Sequence, residues 1–514
     1  MIRITNNFLS IYFLFSYLLL LAGYSFGQVQ DQNNGTHSGS TYPSFIRQEL
    51  NFFEYKNKKI IDVLVQKWNS PNSRFVIAHF GDSHVQPDYF PGTVRRNLQK
   101  LKGDAGRGMI FPYSIAKTYS QSDYSSTFEG KWITGNSIQI PPRLPAGVSG
   151  FAAHTKEKNA SFSISFKNPL PEGEKIMKIY CETYANSYKL TIISGDETHQ
   201  VELDTVSTKK PFIQVNFKSL QNHITFKLMK DDADEREFKL YGISLENKSQ
   251  GVLYHNLGVG GACFSALLYL KNFEKEFPSL NSDFVICDWG GNDFMYKNKV
   301  EPQLEEIMLQ TIKKIRKINP EAIILIPSAQ DINKKGKNVT AAKQYAALAR
   351  KVALENDCLF YDWFVISGGP KSMFSWSDLG ISSKDNVHLN AKGYKIKGDL
   401  FTDAFLNTIK RAGSEPQLVF ENEKYYATDS ASNTDTSEVI KIELTPKFKS
   451  KGKSKKSGKT NGEINHLRTS YKVRKGDTLG SIASKHNTSV SSLKKLNGLK
   501  SDKLKIGKVL IIGR

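Results

Sequence analysis

The strongest constraint on the fold of this chain is an alternation of strand-like and helix-like segments that a long β-rich stretch interrupts. Phe75–Phe80 is a short apolar run typical of a buried strand, and helix-like spacing precedes it over Pro43–Trp68. The alternation returns after Gly251. Because strands that alternate with helices form parallel sheets covered on both faces, an α/β fold is predicted. The later segments are strand-like at Asp283–Asp288, Ala322–Pro327 and Cys358–Tyr361, and helix-like at Glu301–Ile318, Ala341–Glu355 and Lys392–Ile409.

From about residue 120 the pattern changes to short runs in which apolar and polar residues alternate, with turn residues between them. This pattern predicts an antiparallel β-sandwich. The sandwich is predicted to occupy 120–250 and to divide one α/β domain into a first part, 43–119, and a second part, 251–411. The clearest alternating runs are Ser161–Phe166, Lys189–Ile193, Phe212–Phe217 and His223–Leu228.

The N-terminal segment Met1–Gly27 has the features of a secretory signal peptide. Arg3 supplies the positive charge, Phe8–Ala22 is almost wholly apolar, and small residues precede Gln28. A membrane anchor is the alternative, but the apolar run is short for a span and lacks a basic flank. We therefore expect an exported protein, in the periplasm or at the cell surface, with no transmembrane anchor after cleavage and a disordered lead at 28–42.

Most of the formal net charge of +21 lies in the C-terminal part of the chain. Lys447–Lys459 contains seven lysines and no acid, and 461–514 carries twelve basic and three acidic residues. The rest of the chain is close to neutral, which argues against a nucleic-acid partner. Residues 412–468 have the composition of a linker. The lysine run within it predicts an extended tether, with attraction to anionic wall polymer or lipid as the alternative.

Four cysteines in 514 residues exclude a disulfide framework. No spacing of cysteine and histidine predicts a zinc site, so neither a metal nor a cofactor is expected. For Cys263 and Cys287, buried free thiols are the favoured interpretation, and pairing in an oxidising compartment is the alternative. The other two cysteines are Cys181 and Cys358.

Four short polar or glycine-rich blocks follow the predicted strands, where open parallel sheets place their sites. Ester hydrolysis without a metal needs a nucleophile, a base, an orienting acid and oxyanion donors. Gly81–His84 offers a serine on a tight turn, and Gly258–Gly261 offers a loop that a substrate can approach closely. Gly290–Asp293 contains the side-chain amide of Asn292. Asp385–His388 places a carboxylate three residues before an imidazole, which it can orient.

This ordered set of blocks resembles the SGNH (GDSL-type) hydrolases over about 72–116 and 251–411. The resemblance implies a flavodoxin-like three-layer fold and a serine esterase that uses no cofactor. By position, Ser83 resembles the nucleophile, His388 the base and Asp385 the acid that orients it.

The same resemblance implies an oxyanion hole made of the backbone N–H groups of Ser83 and Gly261 and the amide of Asn292. Gly261 is chosen because Asn256–Gly261 resembles the family phrase Asn-x-Gly-x-x-Gly, and Gly260 is the alternative.

The residue after the serine is His84, where the family usually has leucine. A supporting role in the turn is the favoured interpretation, and a rival base or a substrate contact is the alternative. The sequence Gly-Asp-Ser-His is similar to the bacterial cell-wall acetylesterase branch of the superfamily. Asp378, ten residues before His388, is an alternative acid. Three acids close to the blocks are expected to be structural: Asp82, Asp288 and Asp293.

The last segment, 469–514, is predicted to form a strand, two short helices and a closing strand. Its Tyr-x-Val-x-x-Gly-Asp-Thr-Leu sequence, Tyr471–Leu479, and its Leu-x-x-Leu-Asn sequence, Leu493–Asn497, resemble a LysM domain. The resemblance implies that two loops bind a glycan containing N-acetylglucosamine, and a degenerate domain that only packs is the alternative. By position the loops comprise Gly476, Asp477, Thr478, Leu479, Leu504, Lys505, Ile506 and Gly507.

The β-rich insertion resembles the carbohydrate-binding-like sandwich of SGNH-type peptidoglycan O-acetylesterases, and a scaffold without a ligand is the alternative. Together these resemblances predict an exported serine esterase that removes O-acetyl groups from a cell-wall glycan, with peptidoglycan as the expected partner, through an acetyl-serine intermediate. One alternative is an esterase or lipase that acts on another acylated polysaccharide or a lipid. Another is a non-catalytic wall-binding scaffold.

Overall fold

The structure is a computed structural model that describes residues 41–138, 142–182, 188–203, 210–231 and 236–412, and part of the C-terminal segment. The predicted signal peptide, nearly all of the lead at 28–42 and the linker from 413 onward lie outside the described residues. The chain divides into two compact units, Met1–Thr434 and Asp435–Arg514. In the second unit the described residues are 470–473, 477–485, 490–499, 501, 504 and 508–511.

A five-stranded parallel sheet forms the centre of the first unit. The sheet order is β2-β1-β3-β4-β5, so the strand order reverses at β1 and opens a crevice at the carboxyl ends of β1 and β3. The strands are almost wholly buried, as their continuous apolar sequences require. They are β1 (Arg74–Gly81), β2 (Gly251–Gly258), β3 (Phe284–Asp288), β4 (Ile323–Pro327) and β5 (Leu359–Tyr361).

Successive side chains of each strand point to opposite faces of the sheet, and both sets are apolar, so helices cover both faces. Phe75 and Ile77 of β1 pack in one core with residues from helices α1, α2 and α5. Ala78 and Phe80 belong to a second core, which includes residues of α3 and α4 and of the insertion. The predicted three-layer α/β fold is thereby confirmed. The five helices are α1 (Lys58–Asn69), α2 (Tyr89–Lys102), α3 (Leu304–Ile318), α4 (Ala341–Glu355) and α5 (Ala391–Arg411).

The helix predicted over Pro43–Trp68 is wrong in its first half. Backbone groups of Glu54 and Phe360 exchange hydrogen bonds of 2.8 and 2.9 Å, so the segment runs along the exposed edge of β5. Helix α1 begins only after Asn57, whose side chain accepts a hydrogen bond from the Lys59 N–H. The helical spacing of the apolar residues does not decide the structure of this segment. Pairing with the edge strand β5 does, because it satisfies backbone N–H and C=O groups that an unpaired edge strand leaves without partners.

The insertion between β1 and β2 is a sandwich of two antiparallel sheets. The predicted first part of the α/β domain ran to residue 119, but Gly106–Ile110 already pairs with a strand of the sandwich. One sheet contains Gly106–Ile110, Ile133–Asn136, Phe151–Thr155, Lys175–Cys181, Phe212–Phe217 and Phe238–Asn247. The other contains Tyr124–Glu129, Asn159–Phe166, Lys189–Ser194, Glu197–Glu202 and His223–Met229.

Gly108 shows how closely the sandwich approaches the parallel sheet. Its φ of +79° is in the left-handed region, and a Cβ at this position would collide with the carbonyl oxygen of Tyr254 in β2. The remaining short elements are the 3₁₀ turns Gln48–Leu50, Phe264–Tyr269 and Phe277–Leu280, the short helices Phe273–Glu276, Gly291–Phe294, Trp363–Ile366 and Ser372–Asp378, and the paired strands Asn333–Lys334 and Lys337–Asn338.

The second unit has the predicted order of strand, two helices and strand. Ser470–Lys472 pairs antiparallel with Val509–Ile511, and the helices are Leu479–Lys485 and Val490–Asn497. A small core holds them together, made of Val473, Leu479, Ile482, Ala483, Leu493 and Leu510.

All four cysteines are unpaired. Cys181, Cys287 and Cys358 are buried, and burial raises the pKa of each thiol. Within the ranges that the structure describes, the helices are too short or too polar for any of them to cross a membrane.

Glu276 joins the α/β domain to the insertion. Its carboxylate accepts a 2.7 Å hydrogen bond from the backbone N–H of Val148, and its side chain is almost fully buried. Burial raises the pKa of Glu276 to about 8, and the hydrogen bond from Val148 opposes this only in part. The folded chain therefore holds a proton here that the unfolded chain releases near the usual pKa of 4.5.

We expect the contribution of Glu276 to stability to be present below about pH 4.5 and to be lost as the pH rises toward about 8. Glu276→Gln keeps an acceptor without a titrating group. Its unfolding free energy relative to the wild type should therefore rise with pH, by at most about 1.4 kcal/mol per pH unit. Urea unfolding across this range measures the difference. Glu274→Gln, exposed on the same helix, is the control, and parallel profiles for wild type and Glu276→Gln would contradict the expectation.

Candidate active site

Ser83 lies on a tight turn directly after β1. The backbone N–H groups of Val85 and Gln86 both donate to the carbonyl oxygen of Asp82, at 3.1 and 3.0 Å. Gly81 permits the turn, because a Cβ there would collide with the side chain of Val85. The serine is consequently presented, half-buried, at the carboxyl edge of the sheet.

His388 comes from a loop just ahead of α5. The loop closes on itself, since the Ser383 N–H donates to the His388 carbonyl at 2.8 Å. Asn386 has φ of +52° within it. Asn390 then caps α5 by accepting hydrogen bonds from the backbone N–H groups of Lys392 and Gly393. The cap fixes the loop two residues after the histidine.

The structure brings the three predicted catalytic residues into one hydrogen-bonded chain. Ser83 Oγ lies 2.7 Å from His388 Nε2, and His388 Nδ1 lies 2.6 Å from Asp385 Oδ2. The other carboxylate oxygen accepts from the backbone N–H groups of Val387 and His388, each at 3.0 Å. Partial burial opposes ionisation of Asp385, but the hydrogen bonds from His388 and Val387 prevail and lower its pKa. A serine, a base and an ionised acid in this order can activate a nucleophile.

The alternative acid, Asp378, lies apart from this chain. It is exposed at the end of a short helix, and no hydrogen bond joins it to His388 in the described part of the chain. The loop brings Asp385, three residues before His388, into contact with the imidazole, and not Asp378, ten residues before it.

The candidate oxyanion donors differ in availability. Gly260, the alternative, already donates its N–H to Gln86 Oε1 at 2.6 Å. Gly261 has φ of +88°, and among the described residues a Cβ there would meet only the Ile138 side chain, at 3.8 Å. Asn292 donates its amide to the Ala262 carbonyl at 3.0 Å and to Asp82 at 3.3 Å. Asn292 thus ties the glycine loop to the serine turn, and a substrate oxygen would have to share or displace one of these contacts.

His84 contacts His388 rather than Ser83. The two imidazole rings lie 4.8 Å apart at their centroids, and His84 Nδ1 lies 2.8 Å from the Tyr394 hydroxyl. Burial, followed by the charge of His388, holds the pKa of His84 well below its usual value. An imidazole with a lowered pKa is a weak base, and the hydroxyl of Ser83 bonds His388 instead, so a supporting role fits His84 better than that of a rival base.

The three acids expected to be structural all hold backbone or buried groups. Asp82 accepts from the His84 N–H at 2.9 Å, and Asp293 accepts from the Phe264 N–H at 3.2 Å. Burial raises the pKa of both carboxyls to about 7. Asp288 lies 3.3 Å from His79 Nε2 and 3.7 Å from Lys397 Nζ. Burial opposes its ionisation, yet the Lys397 charge and His79 lower its pKa to about 2.

Sequence reasoning missed Tyr394, Lys397 and Gln86, which contact the predicted site residues or their neighbours. Tyr394 and Lys397 are three residues apart on α5, and both are buried. Polar residues at core-facing positions of an amphipathic helix were the available signal. No sequence signal pointed to Gln86, because its contact with Gly260 depends on how the glycine loop folds.

A serine, a histidine and an aspartate joined in this order at the edge of a parallel sheet are the arrangement that serine hydrolases use. In comparisons with known families, residues 230–396 match the GDSL-like lipase/acylhydrolase family and residues 471–513 match the LysM domain. The chain thus contains a GDSL-like acylhydrolase domain and a LysM domain, as the two resemblances predicted. The matched range includes Asp385 and His388 but not Ser83, which precedes the insertion.

A solved structure of a peptidoglycan O-acetylesterase aligns with 70% of this chain and 98% of its own, with a TM-score of 0.57 and 22% identity. This likeness shows that the fold is shared. A stretch of 47 residues of this chain is 55% identical to the probable endopeptidase p60 of Listeria seeligeri. A stretch of 42 residues is 57% identical to the probable peptidoglycan endopeptidase LytE of Bacillus subtilis (strain 168). These matches cover 9% and 8% of this chain, and only 9% and 13% of those relatives.

We expect Asp385→Asn to lower kcat for p-nitrophenyl acetate by about 10²–10⁴-fold, because the imidazole loses the acid that orients it. Asp378→Asn is the matched control and should leave the rate within about twofold, since that carboxylate is exposed and remote from His388. Initial rates of p-nitrophenol release measure both variants. A large loss in Asp378→Asn with an intact Asp385→Asn would reverse the assignment of the acid.

Proposed function

We propose that this chain is an exported serine esterase that removes O-acetyl groups from a cell-wall glycan, with peptidoglycan as the substrate. The observation that carries the proposal is the hydrogen-bonded chain from Ser83 through His388 to Asp385. Export rests on the signal-like sequence Met1–Gly27. The final location, periplasm or cell surface, follows from the wall substrate.

In the proposed reaction, Ser83 Oγ attacks the acetyl carbonyl carbon while His388 Nε2 takes the hydroxyl proton. The negative charge that develops on the carbonyl oxygen is stabilised by the N–H groups of Ser83 and Gly261 and by the Asn292 amide. The C–O bond to the sugar then breaks, and the sugar oxygen receives the proton from His388. Water, activated by the same histidine, hydrolyses the acetyl-serine and releases acetate.

The wall substrate is supported by two independent likenesses. A solved structure that shares this fold over 70% of the chain is a peptidoglycan O-acetylesterase. The C-terminal unit matches the LysM domain, and one of its relatives is described as a probable peptidoglycan endopeptidase. A lipase or an esterase of another polysaccharide would have little use for such a tail. A non-catalytic scaffold would have no need for three correctly bonded catalytic side chains.

The proposed LysM loops lie only in part within the described residues. Gly476 and the segment 505–507 are outside them. Thr478 caps the following helix by accepting from the Ser481 N–H at 3.1 Å, and the Leu479 side chain is buried in the small core. Asp477 accepts from the Tyr471 hydroxyl at 2.9 Å. Since these side chains serve the fold, glycan binding here would rest mainly on backbone groups, as the resemblance implies.

We expect the wild type to release acetate from O-acetylated peptidoglycan and none from the same material after base treatment, which removes the esters. Ser83→Ala should lower the rate at least about 10³-fold, since no other described hydroxyl bonds His388. Acetate is measured directly. Ser125→Ala, an exposed serine of the insertion, is the control.

Two outcomes would overturn this assignment. Undiminished acetate release by Ser83→Ala would remove the nucleophile. Hydrolysis of p-nitrophenyl acetate without acetate release from O-acetylated peptidoglycan would keep the esterase and replace its substrate by another acylated polysaccharide or a lipid.

A chain that ends at Ala412 should hydrolyse soluble p-nitrophenyl acetate at the full rate, because every proposed catalytic residue precedes that position. Its acetate release from insoluble peptidoglycan should fall by about tenfold or more, because the tail raises the local concentration of enzyme at the wall. A second variant replaces the lysines of Lys447–Lys459 by serine at constant length. An equal loss in this variant would assign the effect to charge and not to the LysM unit.

A further inference from the structure

A second cavity lies away from the catalytic residues, between helix α2 and the sandwich insertion. Its volume is about 250 Å³, and none of the three proposed catalytic residues lines it. Arg95, Arg96 and Gln99 of α2 form one side, and residues of the insertion form the other. The volume is somewhat below the roughly 300–1,000 Å³ of pockets for drug-sized ligands and suits a ligand of about one sugar unit.

Two cations that line the cavity are not paired with a carboxylate among the described residues. Arg96 stands at the rim and donates to the hydroxyl of Thr93 at 3.2 Å. Lys175 is only 4% exposed, and its ammonium donates to the carbonyl oxygens of Glu172 and Gly173, at 3.1 and 3.2 Å. An ammonium has three donors, so one remains for a ligand. Burial lowers the pKa of Lys175, and attraction to the carboxylate of Asp104 opposes this only in part.

The acids of the cavity are already satisfied by other groups. Asp123 accepts from Arg107 at 2.6 and 2.8 Å. Asp104 accepts from the Gln99 amide at 2.9 Å and from the Gly106 N–H at 2.7 Å. Arg95, which lines the cavity, is held by both oxygens of Asp88, at 3.1 and 2.7 Å. The donors to Asp104 are neutral, so its negative charge remains and attracts Lys175. The two positive charges of Arg96 and Lys175 outnumber it, and the charge balance of the cavity is therefore positive.

The rest of the lining combines an apolar wall with amide groups. Phe166, Leu220 and the exposed Pro169–Pro171 segment supply apolar surface, and Asn168 and Asn247 supply side-chain amides. A sugar ring presents C–H groups on one face and hydroxyls at its edge, which matches such a lining. An inorganic anion would leave the apolar wall without a partner.

We propose that this cavity binds a carboxylate-bearing sugar unit, with the carboxylate between Arg96 and Lys175 and the ring against the Pro169–Pro171 wall. The proposal does not depend on the esterase function, because the cavity and the catalytic residues are separate. It assigns to the junction of α2 and the insertion a recognition site for acidic glycans.

The test is a titration of the full chain with D-glucuronate, followed by ligand-observed NMR, with D-glucose and inorganic phosphate as parallel probes. Saturable binding of glucuronate is expected, with none for glucose. Arg96→Gln should weaken binding at least about tenfold, because a charge-assisted hydrogen bond is lost. Arg96→Lys should recover part of the loss. Lys100→Gln removes the same charge one helical turn away, outside the cavity, and should bind as the wild type does.

Lys175→Met serves as a second variant at the buried position, with circular dichroism to establish that it is folded. Equal binding of glucuronate by wild type, Arg96→Gln and a folded Lys175→Met would overturn the proposal. Absence of saturable glucuronate binding up to about 20 mM would do so as well. Binding of phosphate with the same dependence on Arg96, but not of glucuronate, would replace the sugar acid by a simple anion.

Discussion

A buried ion pair beneath the candidate site holds its parts in register. Lys397 of α5 lies 3.7 Å from Asp288 at the end of β3, and both side chains are almost fully excluded from solvent. Asp288 also contacts His79 of β1, at 3.3 Å. Since removing one partner of a buried ion pair costs roughly 3–5 kcal/mol, this pairing favours the docking position of α5 in which both charges meet. Helix α5 follows the loop that carries His388, so the pair also places the imidazole against Ser83.

The insertion leaves this arrangement intact because it enters and leaves the sheet between two paired strands. β1 and β2 remain in register over eight residues, from Arg74 opposite Gly251 to Gly81 opposite Gly258. The sandwich packs closely against the Gly258–Gly261 loop, since a Cβ on Gly150 would collide with the Val259 side chain. It is thus a structural neighbour of the proposed oxyanion donors. The same insertion separates Ser83 from the other blocks in sequence, which fits a family match that begins only at residue 230.

The parallel sheet and its helices were predictable because each depends on a local sequence pattern. The candidate catalytic residues were predictable from short blocks that resemble a known family, although Ser83 and His388 are 305 residues apart. Continuous apolar runs specify buried strands, and the spacing within Asp385–His388 needs one loop to bring acid and imidazole together. The irregular segment before α1 and the placement of Gly106–Ile110 in the sandwich were not predictable in this way. Both are decided by pairing with strands far away in sequence, at β5 and at Phe238–Asn247. The engagement of Asn292 by Asp82 is likewise a tertiary contact without a local signal.

The pair of histidines illustrates why the surroundings of a proposed base matter as much as its immediate partners. With 4.8 Å between the rings, a proton on His84 would disfavour the protonated His388 that the proposed mechanism requires. Burial keeps His84 neutral, and the Tyr394 hydroxyl holds one of its nitrogens, so the proton taken from Ser83 is directed to the ring that Asp385 supports. Burial and the contact with Tyr394 therefore make a histidine after the serine, instead of the leucine usual in GDSL-type hydrolases, compatible with the proposed mechanism.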